Sequence, residues 1–243
     1  MEAIIIAAGE GSRLTRDPRN IPKTLLPLNG GTILSRILGN LREAGIRRYR
    51  IVLGFEGEAI RAYVAGLPDF RGEVRFVDNP SWKGGNGISV LAGGLLGGAD
   101  PPVLLSMSDH LVPVEALRKV IEHDSSRNLL LVDRRLRQVF DLEDATKVRL
   151  QDARLTAIGK DLAYYNGVDC GIFRINGSML EALAGNVAAG RESLSEAVES
   201  LIERGEMEAV EIPDSCSWLD VDTPSAYQQA VLHERRYHLG VPA

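Results

Sequence analysis

Directly after the apolar run Ala3-Ile4-Ile5-Ile6-Ala7 stands Ala8-Gly9-Glu10-Gly11-Ser12-Arg13, and Pro22-Lys23 follows. Glycines at a strand end let backbone N–H groups approach an anion closely, and two cations beside them complete a cradle for a triphosphate. Ala7, Ala8, Gly9, Gly11 and Ser12 are the candidates for that cradle, with Arg13 and Lys23 as candidate catalytic cations. Two other phosphate loops do not fit. The dinucleotide fingerprint needs Gly or Ala where Leu14 stands and an acidic residue at the end of a second strand, which argues against a dehydrogenase. The P-loop's Gly-Lys-Ser/Thr is absent. A tight strand-to-loop turn carrying surface charges is the plain structural alternative.

Carboxylates stand at two further strand ends. Met107-Ser108-Asp109-His110 follows the apolar stretch Val103 to Ser106, and Trp218-Leu219-Asp220-Val221-Asp222-Thr223 runs into a helix. Sites of open α/β sheets lie at such ends. If Asp220 and Asp222 alternate along a strand they share a face. Asp109, Asp220 and Asp222 are therefore candidate ligands of Mg2+, a hard cation that takes a few carboxylates plus substrate phosphates. Two structural readings compete: Asp222 as a helix cap and Asp109 as a turn residue.

Ala8-Gly9-x-Gly11-x-Arg13 with Pro22-Lys23 resembles the signature of the sugar-phosphate (MobA-like) nucleotidyltransferases. The resemblance implies that the glycine loop and Arg13 grip a nucleoside triphosphate, and that Lys23 contacts the phosphates around the reacting α-phosphorus. Trp82-Lys83-Gly84-Gly85-Asn86-Gly87-Ile88-Ser89 resembles the family's base-recognition segment, so Gly85, Asn86 and Gly87 join Ser108 as nucleotide-binding candidates. A closer resemblance rests on segments that occur in order: Asp144-Ala145-Thr146-Lys147-Val148-Arg149, Ile158-Gly159-Lys160-Asp161-Leu162, Val168-Asp169-Cys170-Gly171-Ile172-Phe173 and Leu194-Ser195-Glu196, together with those around Asp109 and Asp220. They are similar to the CTP:inositol-1-phosphate cytidylyltransferases. That implies CTP and inositol 1-phosphate as substrates, Mg2+ as cofactor, CDP-inositol and pyrophosphate as products, and a separate membrane synthase as partner. Lys147, Lys160 and Asp169 are then the acceptor-binding candidates, although both lysines also suit cross-strand surface charges. His110 departs from many relatives and reads as a loop histidine without catalytic duty; Cys170 reads as core. The rivals are phosphocholine as acceptor, for which Tyr164, Tyr165 and Trp218 would form a cage, a hexose 1-phosphate, or a regulatory subunit that binds nucleotide without turnover.

The elements that must position these groups alternate as in βαβ units. Ile33, Leu34, Ile37, Leu38 and Leu41 share one helical face ended by Gly45, and Arg50 to Phe55, Val74 to Val77, Pro102 to Ser106 and Leu129 to Asp133 read as strands. Lys147 to Leu150 and Leu155 to Ile158 read as a hairpin. Ser193 and Glu196 have capping-box spacing, and Thr223-Pro224 opens a last helix. The expected fold is α/β: a Rossmann-like three-layer sandwich with a mostly parallel central sheet and an antiparallel hairpin insertion. Residues 1–243 form one domain, with 1–135 mainly nucleotide-binding and 136–243 mainly acceptor-binding.

Composition narrows the classes. The 243 residues are 44% hydrophobic and 25% charged, with a net charge of −5, which argues against nucleic acid as partner. No apolar run reaches the ~20 residues that span a bilayer, Met1-Glu2 does not open a signal peptide, and the cysteine count suits a reducing cytoplasm.

Overall fold

The N-terminal apolar run forms β1 (Glu2–Ala7), and it is apolar on both sides because both sides are covered. Ala3, Ile5 and Ala7 enter one hydrophobic cluster and Ile4 and Ile6 the other. In the computed structural model, which describes residues 1–14 and 21–233, Lys23–Leu25 makes a single 3-10 turn and the two-residue strands β2 (Pro27–Leu28) and β3 (Gly31–Thr32) lead to α1 (Ile33–Glu43). Thr32 and Ser35 form a capping box at its start, and the five expected apolar residues are buried. Gly45, at φ +102°, follows its end.

The chain continues through β4 (Arg48–Leu53), α2 (Gly57–Ala65), β5 (Val74–Asp78), α3 (Asn86–Leu95) and β6 (Val103–Met107). Next come β7 (His110–Leu111), α4 (Val114–Ile121), β8 (Asn128–Asp133), β9 (Lys147–Gln151), β10 (Arg154–Gly159) and β11 (Gly167–Ile175). Last are α5 (Gly177–Ala188), α6 (Leu194–Glu203), β12 (Met207–Glu211), β13 (Leu219–Asp220) and α7 (Pro224–Leu232). Helices α1, α2, α4 and α7 bury their apolar faces in one cluster and α3, α5 and α6 in the other, giving three layers.

The nine-stranded sheet runs β5-β4-β1-β6-β11-β8-β12-β10-β9 and is mixed rather than mostly parallel. The pairs β5–β4, β4–β1, β1–β6 and β8–β12 are parallel. The pairs β6–β11, β11–β8, β12–β10 and β10–β9 are antiparallel. The reversal comes from β11, whose burial on both faces hides its direction from any hydropathy pattern. The hairpin is no excursion either. Val148 of β9 pairs back onto Gly167 of β11, so five strands close on themselves and carry the hairpin over one end of the sheet.

Three local differences have physical causes. Helix α5 had no expectation in the sequence, although Asn176 caps it and Met179, Ala182 and Leu183 have helical spacing. The second strand begins two residues earlier than expected and ends before Gly54, where a β-carbon would lie 2.6 Å from the Ala8 carbonyl oxygen. Trp218 to Val221 does not join the main sheet; β13 pairs only with β7, placing Asp220 opposite His110.

Candidate functional site

The glycine loop sits where β1 ends, and its glycines have different reasons to be glycine. Gly11 holds φ +64°, and a β-carbon there would lie 2.7 Å from Lys23 Cβ. Gly9 has nothing within 4 Å of its β-carbon position, so packing alone does not demand it and the space before the loop stays open. Ala8 and Ala7 are buried, with the Ala8 carbonyl accepting the Phe55 N–H at 3.0 Å. Ser12 is exposed on the loop.

Lys23 runs under this loop with its side chain 10% exposed. Its Nζ donates to Asp109 Oδ2 at 2.6 Å and to Asp222 Oδ1. Arg13, half exposed, donates to Asp144 Oδ2 at 2.5 Å and to Asp222 Oδ2. Burial alone would lower the Lys23 ammonium's pKa, but Asp109 and Asp222 outweigh it and hold the pKa above its usual value. Burial would likewise raise the Asp109 carboxyl, yet Lys23 and His110 keep it far below the usual carboxylate range. The competing structural roles fall away: Thr223, not Asp222, caps α7 by accepting the Ala226 N–H at 3.2 Å, and Asp109 is an ion-paired residue rather than a plain turn.

His110 lies in β7 and is largely buried in the ion-paired cluster, where its sequence reading placed it in a loop. Its Nδ1 lies 2.7 Å from Asp109 Oδ1 and 3.9 Å from Asp220 Oδ1, and its ring stacks on Trp218 with centroids 5.6 Å apart. Burial opposes its charge, but Asp220 and Asp109 push the imidazole up to about 9. Asp220 is raised by burial to about 7, with His110 opposing and Asp109 and Asp222 adding repulsion. Its buried Oδ1 has no hydrogen-bond partner among the described residues. Ligand atoms of Asp144, Asp220 and Asp222 lie within 4.8 Å of one another, as do those of Asp109, His110 and Asp220. An orphaned carboxylate oxygen inside such a set fits a hard divalent cation.

A cleft of about 240 Å3 opens between these groups and the hairpin. Lys160 reaches it from the turn after β10, its Nζ 3.0 Å from Asp144 Oδ1. Asp144 thus bridges Arg13 and Lys160, and its pKa is lowered because their hydrogen bonds outweigh burial. Asp169 lines the cleft because β11 bulges between Asp169 and Phe173, with Gly171 at φ +73° donating its N–H to Asp169 Oδ1 at 2.7 Å. Burial pushes Asp169 up to about 6, against the Gly171 N–H and His110.

Sequence comparison adds the family. The MobA-like NTP transferase domain matches residues 3–212. The chain belongs to that family. Among curated proteins, this MobA-like NTP transferase is 32% identical over 231 residues to the bifunctional IPC transferase and DIPP synthase of Aquifex aeolicus (strain VF5), covering 94% of this chain and 50% of that one. It is 34% identical over 227 residues to the protein of that name from Rubrobacter xylanophilus, covering 91% and 49%. The chain therefore spans about half the length of the curated relatives it matches. Its fold matches the inositol-1-phosphate CTP transferase of T. maritima with a TM-score of 0.81 at 22% identity, over 100% of this chain and 98% of that one. A putative glucose-1-phosphate thymidylyltransferase from Bacillus anthracis matches with a TM-score of 0.83 at 18% identity, over 98% and 97%.

Within the MobA-like NTP transferase site, the sequence candidates divide. Arg13, Lys23, Asp109, Asp220 and Asp222 meet in one ion-paired cluster beside the cleft, while Lys160 lines the cleft from the end of β10 and Asp169 from β11. Lys147 does not join them: its buried ammonium donates to the Glu143 carbonyl at 2.5 Å. Gly85 and Gly87 pack the start of α3 against Glu192, whose carbonyl oxygen would lie 2.3 and 2.6 Å from added β-carbons. Asn86 spends its Oδ1 on the Leu194 N–H at 2.8 Å while standing at the cleft rim. Ser108 is buried beside Asp109. Asp144 was missed as a site residue, because a carboxylate in an irregular segment carries no periodicity. The only sequence signal was its place at the head of Asp144-Ala145-Thr146-Lys147. No described helix is long and apolar enough to cross a membrane.

Proposed function

We propose that this MobA-like NTP transferase is a Mg2+-dependent CTP:inositol-1-phosphate cytidylyltransferase. The observation that carries the reading is the bridge Arg13–Asp144–Lys160, which ties the candidate triphosphate cradle to a second cation that lines the cleft. The names of the relatives that match over most of this chain support the same acceptor.

An ionised phosphate oxygen of the acceptor attacks the α-phosphorus of CTP in line, the new P–O bond forms, and pyrophosphate departs with the bonding pair. No general base is needed, because that oxygen already carries charge. The difficulty is bringing two anions together, so catalysis is positioning and charge stabilisation. Asp109, Asp220 and Asp222 would hold Mg2+, which supplies positive charge at the triphosphate. Lys23 and Arg13 exchange their carboxylates for phosphate oxygens as the nucleotide enters the glycine loop. Asn86 offers its Nδ2 to the base from the α3 start, Lys160 takes the acceptor's phosphate, and Asp169 accepts from hydroxyls of the polyol ring. A phosphodiester-forming synthase that consumes CDP-inositol completes the reading as its partner.

The phosphocholine alternative loses its cage. Trp218 is 9% exposed with one face on His110, and Tyr164 is 80% exposed and outside the cleft lining. Pyrophosphate release with Mg2+, crossing CTP, UTP and dTTP against inositol 1-phosphate, phosphocholine and glucose 1-phosphate, tests the assignment. Turnover confined to CTP with inositol 1-phosphate is expected; preference for another pair overturns the substrate assignment.

A further inference from the structure

A second cavity, of about 500 Å3, lies at the opposite end of the sheet, where β1 and β6 begin. That volume falls in the range of small-molecule sites. With strands rising ~3.3 Å per residue, roughly 20 Å separates it from the glycine loop. Its lining includes Arg48 and Arg50 from β4 and Arg174 from β11.

Two of these guanidiniums are held rigidly. Arg50, 2% exposed, donates to the Gly93 and Gly98 carbonyls at the end of α3 and to Glu2 Oε2 at 2.8 Å. Arg174, 6% exposed, donates to the His123 carbonyl at 2.6 Å and to the Ser125 carbonyl beyond the end of α4. Among the described residues it makes no direct ion pair; burial pulls its pKa down, with Asp124 and Glu208 opposing from farther off. Capping helix ends accounts for the donors used there. It does not account for the exposed Arg48, which meets the Glu2 carboxylate only through space. Nor does it account for a cavity between arginines supplied from two strands, β4 and β11. A guanidinium stays charged when buried, and a desolvated charge without a counter-ion is unfavourable. The carboxylates that line the cavity are Glu2, already bonded to Arg50, and Asp100 at the exposed rim.

We propose that this basal cavity binds a small phosphoryl anion, with its oxygens on Arg48 and Arg174 between the fixed forks. Guanidinium forks match phosphoryl oxygens in pairs, and forks already fixed by helix-end carbonyls lose little freedom on binding. The site is separate from the catalytic cleft and needs none of its residues.

The test is calorimetric titration of pyrophosphate into metal-free protein carrying Lys23→Ala, which weakens binding at the catalytic cleft. Saturable binding is expected that Arg48→Gln weakens about tenfold, the scale of a lost charged hydrogen bond. Asp100→Asn, which removes a repelling charge, tightens it by roughly threefold. Arg48 and Asp100 are exposed, so both variants fold, and gain in one with loss in the other is not what destabilisation produces. Parallel titrations with inorganic phosphate and CTP distinguish a free anion from the phosphates of a nucleotide. Absence of saturable binding, or affinity that neither substitution moves, overturns the proposal. Turnover is not read, so failure here leaves the cytidylyltransferase reading standing, and the converse holds too.

Discussion

On the glycine-loop side of the cleft both candidate cations are already opposed: Lys23 by Asp109 and Asp222, Arg13 by Asp222 and Asp144. On the hairpin side Asp169 has one backbone N–H and the charge of His110 but no direct ion pair among the described residues, and Lys160 is half exposed with a single carboxylate contact. The first wall is assembled before substrate arrives, from parallel strand ends and one buried lysine. The second is placed by a bulge and by strands that curl back on themselves. The contrast fits the activity proposed above, under which a fixed wall would do the phosphoryl chemistry and a sparsely bonded wall would select the acceptor.

Substitutions on the two walls sharpen or break that division. Asp109→Asn has the largest expected effect, a fall in kcat of roughly a thousandfold or more, because it removes a candidate metal ligand and a partner of Lys23 together. A metal titration of the variant should show weakened divalent-ion binding as well. Lys23→Ala comes next, at about a hundredfold in kcat, the scale of one lost electrostatic contact in the transition state. Asp169→Asn should act on the other wall alone, raising the acceptor KM about tenfold while the CTP KM moves less than about twofold. Steady-state kinetics with each substrate varied separates these cases, and a matching rise in the CTP KM would dissolve the division. In stability, the two loop glycines should differ. Gly11→Ala should cost about 1–2 kcal/mol by denaturant unfolding, since its positive φ and the Lys23 stem both resist a β-carbon. Gly9→Ala should cost well under about 1 kcal/mol, because that β-carbon meets nothing.

The same contrast explains what could be read from sequence. Arg13 and Lys23 are close to the loop that uses them, and Asp109 follows an apolar strand, so local pattern placed them. The roles of Lys147 and Asp144 could not be read that way. Both belong to the segment entering β9, and only the closing of β9 onto β11 decides which one reaches the cleft. Likewise β11 is apolar enough to be recognised as a strand, but its antiparallel direction follows from topology, not composition. The packed setting of His110 was not legible because its neighbours, Trp218 and Gly171, lie far along the chain. A β-carbon on Gly171 would sit 2.4 Å from the His110 ring.

The most direct measurement follows one atom. Inositol 1-phosphate labelled with 18O on its phosphate is mixed with CTP, Mg2+ and enzyme, and the products are read by 31P NMR. The expected result is CDP-inositol and pyrophosphate, with label in the oxygen bridging the two phosphorus atoms, as attack by the acceptor on the α-phosphate requires. CMP formed with a solvent oxygen, or a bridging oxygen without label, would contradict acceptor attack and with it the proposed activity.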